Sequence, residues 1–83
     1  MANIESFDPL RDELKKIMES TTRENAFIHW DRFWLGMRDI RLQDNLPDFT
    51  PSERTQLVVG ISKHIPKVFS ALIRHGLAVK IEN

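Results

Sequence analysis

The sequence predicts an all-α domain with three helices and a short C-terminal β-strand. Apolar residues recur at helical spacing in three segments, and each segment is preceded by residues that commonly begin helices. A further pattern, the alternation of apolar with polar or small residues after Gly76, predicts the strand. The length of 83 residues fits a single domain, because domains typically take about 50 to 250 residues.

The first predicted helix begins at Asp8 and Pro9. Aspartate can accept hydrogen bonds from the first free amides of a helix, and proline suits the first helical position. An apolar stripe follows at helical spacing: Leu10, Leu14, Ile17 and Met18. The polar residues 20–22 then end the helix.

The second predicted helix runs from a capping box of Thr21 and Glu24 to about Asn45. One broad face is apolar and largely aromatic, and we expect it to form the core: Phe27, Trp30, Phe33, Trp34, Met37 and Ile40. A second apolar stripe has seven-residue spacing: Ile28, Leu35 and Leu42. The remaining narrow face is polar: His29, Arg32, Gly36, Asp39 and Gln43. At about 100° per residue the apolar sets cover roughly 240°, far more than the stripe of a typical surface helix.

The third predicted helix begins with Thr50 as its cap, Pro51 at the first helical position and Glu53 closing the capping box. Its apolar stripe is Leu57, Ile61, Ile65, Val68 and Leu72. Because this stripe keeps its phase across Pro66, the sequence predicts one continuous helix that is kinked at the proline. Gly76 predicts the end of the helix.

The C-terminal strand is predicted from Leu77, Val79 and Ile81, which alternate with polar or small residues. One strand is not stable alone. We therefore expect it to pair with residues around Ile4 or with the same strand of a second subunit.

The composition is that of a soluble globular protein, with 41% hydrophobic and 29% charged residues. The absence of cysteine excludes disulfides and thiolate metal sites. No apolar run reaches the roughly 18 residues that a membrane span needs, and the N-terminus lacks signal-peptide character. We expect a cytoplasmic protein.

No group of residues in the sequence predicts catalysis, a cofactor or a metal site. His64 and His75 would share a face of a continuous third helix, but about 16 Å of helical rise separates them. Metal ligands lie much closer together, each at about 2 Å from the ion. The sequence contains no HExxH motif and no glycine-rich phosphate loop. It therefore predicts a non-enzymatic protein that uses no cofactor, metal or small-molecule substrate.

The wide apolar arc of the second helix predicts association with another protein, because two short neighbouring helices hardly cover it. The candidate interface residues lie on two flanks: Ile28, Leu35 and Leu42 on one, and Phe33 and Ile40 on the other. An uncovered apolar flank marks an association surface, and a chain this small buries only part of its surface alone. We expect a protein-interaction module that forms a homodimer and regulates or scaffolds a larger partner.

A nucleic-acid-binding regulator is the alternative function. Residues 51–83 carry a net charge of +3, whereas residues 1–50 carry −3. A basic stripe that could follow phosphates lies opposite the apolar face of the third helix: Lys63, Lys67, Ser70 and Arg74. Residues 66–81 (PKVFSALIRHGLAVKI) are similar to the recognition helix and following strand of winged-helix DNA-binding domains, and this resemblance implies contacts with DNA. Because ten acidic side chains in residues 1–50 would repel phosphate, this alternative ranks second.

Overall fold

The computed structural model describes residues 8–79, and that part of the chain contains four α-helices. They are α1 (Asp8–Glu19), α2 (Arg23–Gln43), α3 (Pro51–His64) and α4 (Pro66–Arg74). The predicted all-α class is confirmed. The start of α1 and its buried stripe also match the prediction, since Leu10, Leu14 and Ile17 lie in the core and Met18 packs against it.

The beginning of α2 differs from the prediction by one residue. Thr22, not Thr21, is the N-cap, and its hydroxyl oxygen accepts a hydrogen bond from the backbone N–H of Asn25 at 3.2 Å. Glu24 therefore lies two residues after the cap, which is too close for the predicted capping box. The adjacent threonines offered two possible registers, and the fold uses the second.

The beginning of α3 confirms the predicted capping box. The Thr50 hydroxyl accepts from the backbone N–H of Glu53 at 3.2 Å, and the Glu53 carboxylate accepts from the backbone N–H of Thr50 at 3.0 Å. Pro51 occupies the first helical position. Its missing backbone N–H costs no hydrogen bond there, because the N–H groups of the first turn have no acceptor within the helix. These local interactions determine where α3 begins.

The predicted continuous helix across Pro66 is wrong, because the chain leaves the helical conformation at Ile65. Its backbone angles are φ −133° and ψ 66°, and α3 ends one residue before it. The proline ring disfavours the helical conformation of the preceding residue, so Pro66 becomes the first residue of α4. Ile65 is turned outward and is 40% exposed, although its spacing placed it on the buried stripe.

The predicted end of the last helix at Gly76 is confirmed. Gly76 has φ 72°, and the backbone N–H groups of Gly76 and Leu77 donate to the carbonyls of Ile73 and Leu72 at 3.0 and 2.8 Å. This Schellman arrangement requires a left-handed residue, which glycine provides without steric cost.

The predicted C-terminal strand is not supported. Residues 77–79, the part of it that the structure describes, are not in a β-strand. Residues 80–83 and the proposed pairing segment around Ile4 lie outside the described residues.

The core lies where α1 packs across α2 and α4. Eleven of the described residues form it: Leu10, Leu14, Ile17, Ala26, Trp30, Phe33, Trp34, Ile61, Val68, Ala71 and Leu72. The expected aromatic core is thus present in Trp30, Phe33 and Trp34, whereas Phe27 is 55% exposed, contrary to its predicted core position.

The side of α2 that α1 covers includes part of the predicted polar face. A Cβ atom at Gly36 would clash with the Leu10 side chain, so glycine permits a close approach of the two helices here. His29 Nδ1 lies 2.7 Å from a carboxylate oxygen of Glu13 on α1, and both side chains are mostly buried. Two members of the predicted polar face, His29 and Gly36, are therefore covered by α1. Among the residues that the structure describes, no other element covers the opposite side of α2.

Candidate protein-docking surface

The uncovered side of α2 presents four large apolar side chains, which we call the α2 surface. They are Phe27 (55% exposed), Ile28 (46%), Leu35 (43%) and Leu42 (57%). At about 100° per residue they lie within an arc of roughly 100°, so they form one face that runs along the helix. A helix normally buries such a face against another element.

The structure separates the five predicted interface residues into two groups. Ile28, Leu35 and Leu42 lie together on the α2 surface. Phe33, in contrast, is 5% exposed and belongs to the core, and Ile40 is partly buried against that core. Phe33 precedes Leu35 by two residues, or about 200° around the helix, so it faces the opposite side. The flank that the sequence assigned to Phe33 and Ile40 is therefore covered within the chain.

Phe27 is the member of the α2 surface that sequence reasoning missed. It was grouped with the aromatic core residues because it precedes Trp34 by seven residues. It also lies only about 100° from Ile28, where the two apolar sets meet. Helical spacing alone was compatible with either side, and the packing of α1 decided between them.

An aromatic cluster lies on the core side of α2, across the helix from Leu35. Trp34 packs edge to face with Trp30 and Phe33, with ring centroids 5.2 Å apart in each pair, and the rings of Trp30 and Phe33 stack at 5.3 Å. Phe49, from the loop before α3, extends the cluster at 6.1 Å from Trp34. Such packing fixes ring orientations, so the helix that carries the α2 surface has a rigid support.

The last turn of α2 is attached to the first turn of α3 by Arg41. Its guanidinium donates to the Glu53 carboxylate at 2.7 Å and lies 4.0 Å from the centroid of the Phe49 ring. Hydrogen bonding from the backbone N–H of Thr50, and then the adjacent Arg41, holds the pKa of Glu53 below its usual value. The carboxylate is therefore charged near neutral pH and links the two helices.

Four exposed charged residues border the apolar side chains of the α2 surface. Relative to the row of Ile28, Leu35 and Leu42, Asp31 and Arg38 lie on the flank toward Phe27. Arg32 and Asp39 lie on the other flank. Within residues 8–79 none of the four forms an ion pair. The row of Ile28, Leu35 and Leu42 thus has charged residues along both sides, and polar residues around an apolar centre are usual in protein interfaces.

The break at Ile65 divides the predicted basic stripe. Lys67, Ser70 and Arg74 are exposed at helical spacing on one face of α4, but Lys63 belongs to α3 on the other side of the break. Arg74 also donates to the backbone carbonyl of Met18 at 3.5 Å. The structure therefore brings three of the four predicted nucleic-acid contacts together on one helix.

The three histidines are separated in the fold. His29 contacts Glu13, and His75 Nε2 lies 3.2 Å from the Ser20 carbonyl oxygen, so both have partners within the domain. His64 is exposed at the end of α3. Across the described part of the chain, no three histidine, aspartate or glutamate side chains are grouped closely enough to hold a metal ion. None of the helices described here combines the length and apolar character that crossing a membrane requires.

No known protein family matches the chain, and no curated protein or solved structure is significantly similar to it. The role of the α2 surface is therefore inferred from its own geometry and chemistry.

Proposed function

We propose that this chain is a small non-enzymatic protein-interaction module that regulates or scaffolds a larger protein. The α2 surface is its docking site for another protein chain. The observation that supports this function is the group of four large apolar side chains, 43–57% exposed, on one side of a helix whose other side is the core. Single exposed apolar residues are ordinary, but a contiguous row of them is typical of an interaction site.

The mechanism of binding would be removal of this apolar row from water. Burial of apolar surface contributes about 25 cal/mol per Å², and large side chains at the centre of an interface dominate its energy. Leu35 occupies that central position, with Ile28 and Leu42 one heptad away on each side. The rigid aromatic cluster beneath α2 limits the entropy that docking would cost.

Leu35→Glu is expected to abolish docking without unfolding the domain, because it places a charge at the centre of the apolar row but leaves the core intact. The wild-type chain, Leu35→Glu and the control Ser52→Glu are tagged and incubated with extract from the native host. Ser52 is exposed in the first turn of α3, so the control adds the same charge outside the α2 surface. Retained proteins, including untagged copies of this chain, are quantified by mass spectrometry, and circular dichroism checks the fold.

The proposal requires a protein that the wild type and Ser52→Glu retain equally and Leu35→Glu loses. Equal retention by all three variants, or no specific retention by the wild type, would contradict a docking function of the α2 surface.

A second candidate function, nucleic-acid binding, is favoured by the shared exposed face of Lys67, Ser70 and Arg74. Three phosphate contacts, from the basic residues Lys63, Lys67 and Arg74, would give a slope of log K against log salt of about −2.7 on duplex DNA. We expect an electrophoretic shift of a labelled oligonucleotide at physiological salt to be lost when Lys67 and Arg74 are replaced by glutamate. Absence of a shift from the wild-type protein would exclude this function.

A further inference from the structure

The apolar residues of the α2 surface are arranged symmetrically about Leu35. Ile28 precedes it by seven residues and Leu42 follows it by seven, which is about 10.5 Å of helical rise in each direction. A twofold axis that passes through Leu35, perpendicular to the helix, would therefore exchange the positions of Ile28 and Leu42. Two copies related by this axis would place apolar side chains against apolar side chains along the whole row.

The two charged residues on the first flank also lie at similar distances on either side of Leu35, and they carry opposite charges. Asp31 lies four residues before Leu35 and Arg38 lies three residues after it, or about 6 Å and 4.5 Å along the helix. The twofold axis therefore brings Asp31 of one copy to within about one residue of Arg38 of the other. Both side chains are exposed, and neither forms an ion pair among the residues that the structure describes.

The second flank repeats this complementarity with the signs reversed. Arg32 lies three residues before Leu35, and Asp39 lies four residues after it. In an antiparallel pair of helices each flank faces the same flank of the other helix, so Arg32 meets Asp39. Both flanks together give four attractive contacts in one dimer, because each pair occurs twice.

A parallel arrangement would bring a different set of residues together. Each flank then faces the other flank of the second copy, so Asp31 meets Arg32 and Arg38 meets Asp39, whereas residues of the central row, such as Leu35, face their own copies. Glu24, which precedes Leu42 by five helical turns and lies on the same face, would also face its own copy. Like charges opposed across an interface disfavour that arrangement, and antiparallel helix dipoles favour the alternative.

We propose that the chain docked on the α2 surface is a second copy of this protein, with the two α2 helices antiparallel about a twofold axis at Leu35. This inference rests on the proposed docking function of the α2 surface and identifies its partner. A self-complementary patch of this kind is what a closed twofold dimer requires. The dimer would then be the form that regulates or scaffolds a larger protein.

Charge exchange between Asp31 and Arg38 tests the arrangement. Asp31→Arg alone and Arg38→Asp alone each place like charges opposite one another twice in the dimer, and we expect each to weaken dimerisation at least about tenfold. The double variant restores opposite charges, and its dissociation constant should return to within about threefold of the wild-type value. Dissociation constants are measured by sedimentation equilibrium. The control is Asp12→Arg on the exposed side of α1, which changes the net charge equally and should leave dimerisation unchanged.

Disulfide crosslinking provides a second measurement, since the chain has no cysteine of its own. An oxidised mixture of Ile28→Cys and Leu42→Cys chains should yield mixed crosslinked dimers. Neither variant alone should crosslink, because about 21 Å of helix separates the equivalent positions in an antiparallel pair.

Each outcome distinguishes this inference from the proposed function. Suppose that the wild-type protein is a dimer and that Leu35→Glu dissociates it. Failure of the double charge variant to recover dimerisation, or crosslinking of Ile28→Cys with itself, would then overturn the antiparallel arrangement. Either result would leave the docking function standing. A wild-type protein that is monomeric at several hundred micromolar would overturn a second copy as the partner. The docking function would in that case still be decided by the retention experiment with Leu35→Glu.

Discussion

Trp34→Ala is expected to lower the free energy of unfolding by about 3–5 kcal/mol, as deletion of a large buried aromatic side chain typically does. Trp34 is 8% exposed and packs against Trp30 and Phe33 with ring centroids 5.2 Å away in both cases. A domain of 83 residues has a total stability of about 4–12 kcal/mol at typical values per residue. The substitution should therefore remove a large fraction of the total stability of the domain.

The position of Trp34 between helices is a second reason for this large effect. Its ring contacts Phe49 in the loop before α3, and the Arg54 guanidinium of α3 lies 4.9 Å from its centroid. Loss of the indole would therefore weaken the attachment of α3 to α2 as well as leaving a cavity in the core.

Urea unfolding followed by circular dichroism measures the effect of Trp34→Ala. Phe27→Ala is the matched control, because Phe27 is an aromatic residue of the same helix, one heptad earlier, but is 55% exposed. At a concentration low enough to suppress association, the control should lose no more than about 1 kcal/mol. Equal losses in the two variants would contradict the assignment of Trp34 to the core and Phe27 to the surface.

The features that could be predicted from the sequence are those determined by local chemistry. The capping box of Thr50 and Glu53 needs only residues three apart, and the stop at Gly76 needs one residue that adopts a positive φ. The helical spacing of Leu10, Leu14 and Ile17 likewise predicted a buried face correctly. In each case the residues that determine the structure are neighbours in the chain.

The features that could not be predicted depend on which elements meet. Spacing placed Ile65 on the apolar stripe, but the constraint that Pro66 imposes on its backbone proved stronger than the phase of that stripe. Phe27 was assigned to the wrong side of α2, and the close packing of α1 at Gly36 was not predicted, because the position of α1 on that helix is a tertiary property. The sequence could predict that part of the apolar surface of α2 stays uncovered, but it could not predict on which side of the helix.

The candidate docking site was predictable to the same extent. The seven-residue spacing of Ile28, Leu35 and Leu42 identified three of its four apolar members. Phe33, which the sequence also assigned to the interface, is 5% exposed and packs against Trp30 and Trp34, and helical spacing alone does not determine such burial. The opposite signs of Asp31 and Arg38 become meaningful only when Leu35 is known to be the centre of an exposed row.

Leu72→Ala is the second substitution for which we expect a large effect, with a loss of about 2–5 kcal/mol in the free energy of unfolding. Leu72 has no exposed surface and lies where α4 packs against α1 and the rest of the core. Its backbone carbonyl also accepts the hydrogen bond that closes the C-terminal turn of α4, so a shift of this residue would disturb the end of the helix.

Ile65→Ala is the matched control for Leu72→Ala, and the comparison tests the break between α3 and α4. Both residues belong to the apolar stripe that predicted a continuous helix, and in such a helix both would be buried. In the observed structure Ile65 is 40% exposed at the break, so its truncation should cost no more than about 1 kcal/mol. Thermal and urea unfolding of both variants measure the difference. Similar losses would show that Ile65 is buried and that the helix continues through Pro66, whereas a much smaller loss for Ile65→Ala follows from the turn that the proline imposes.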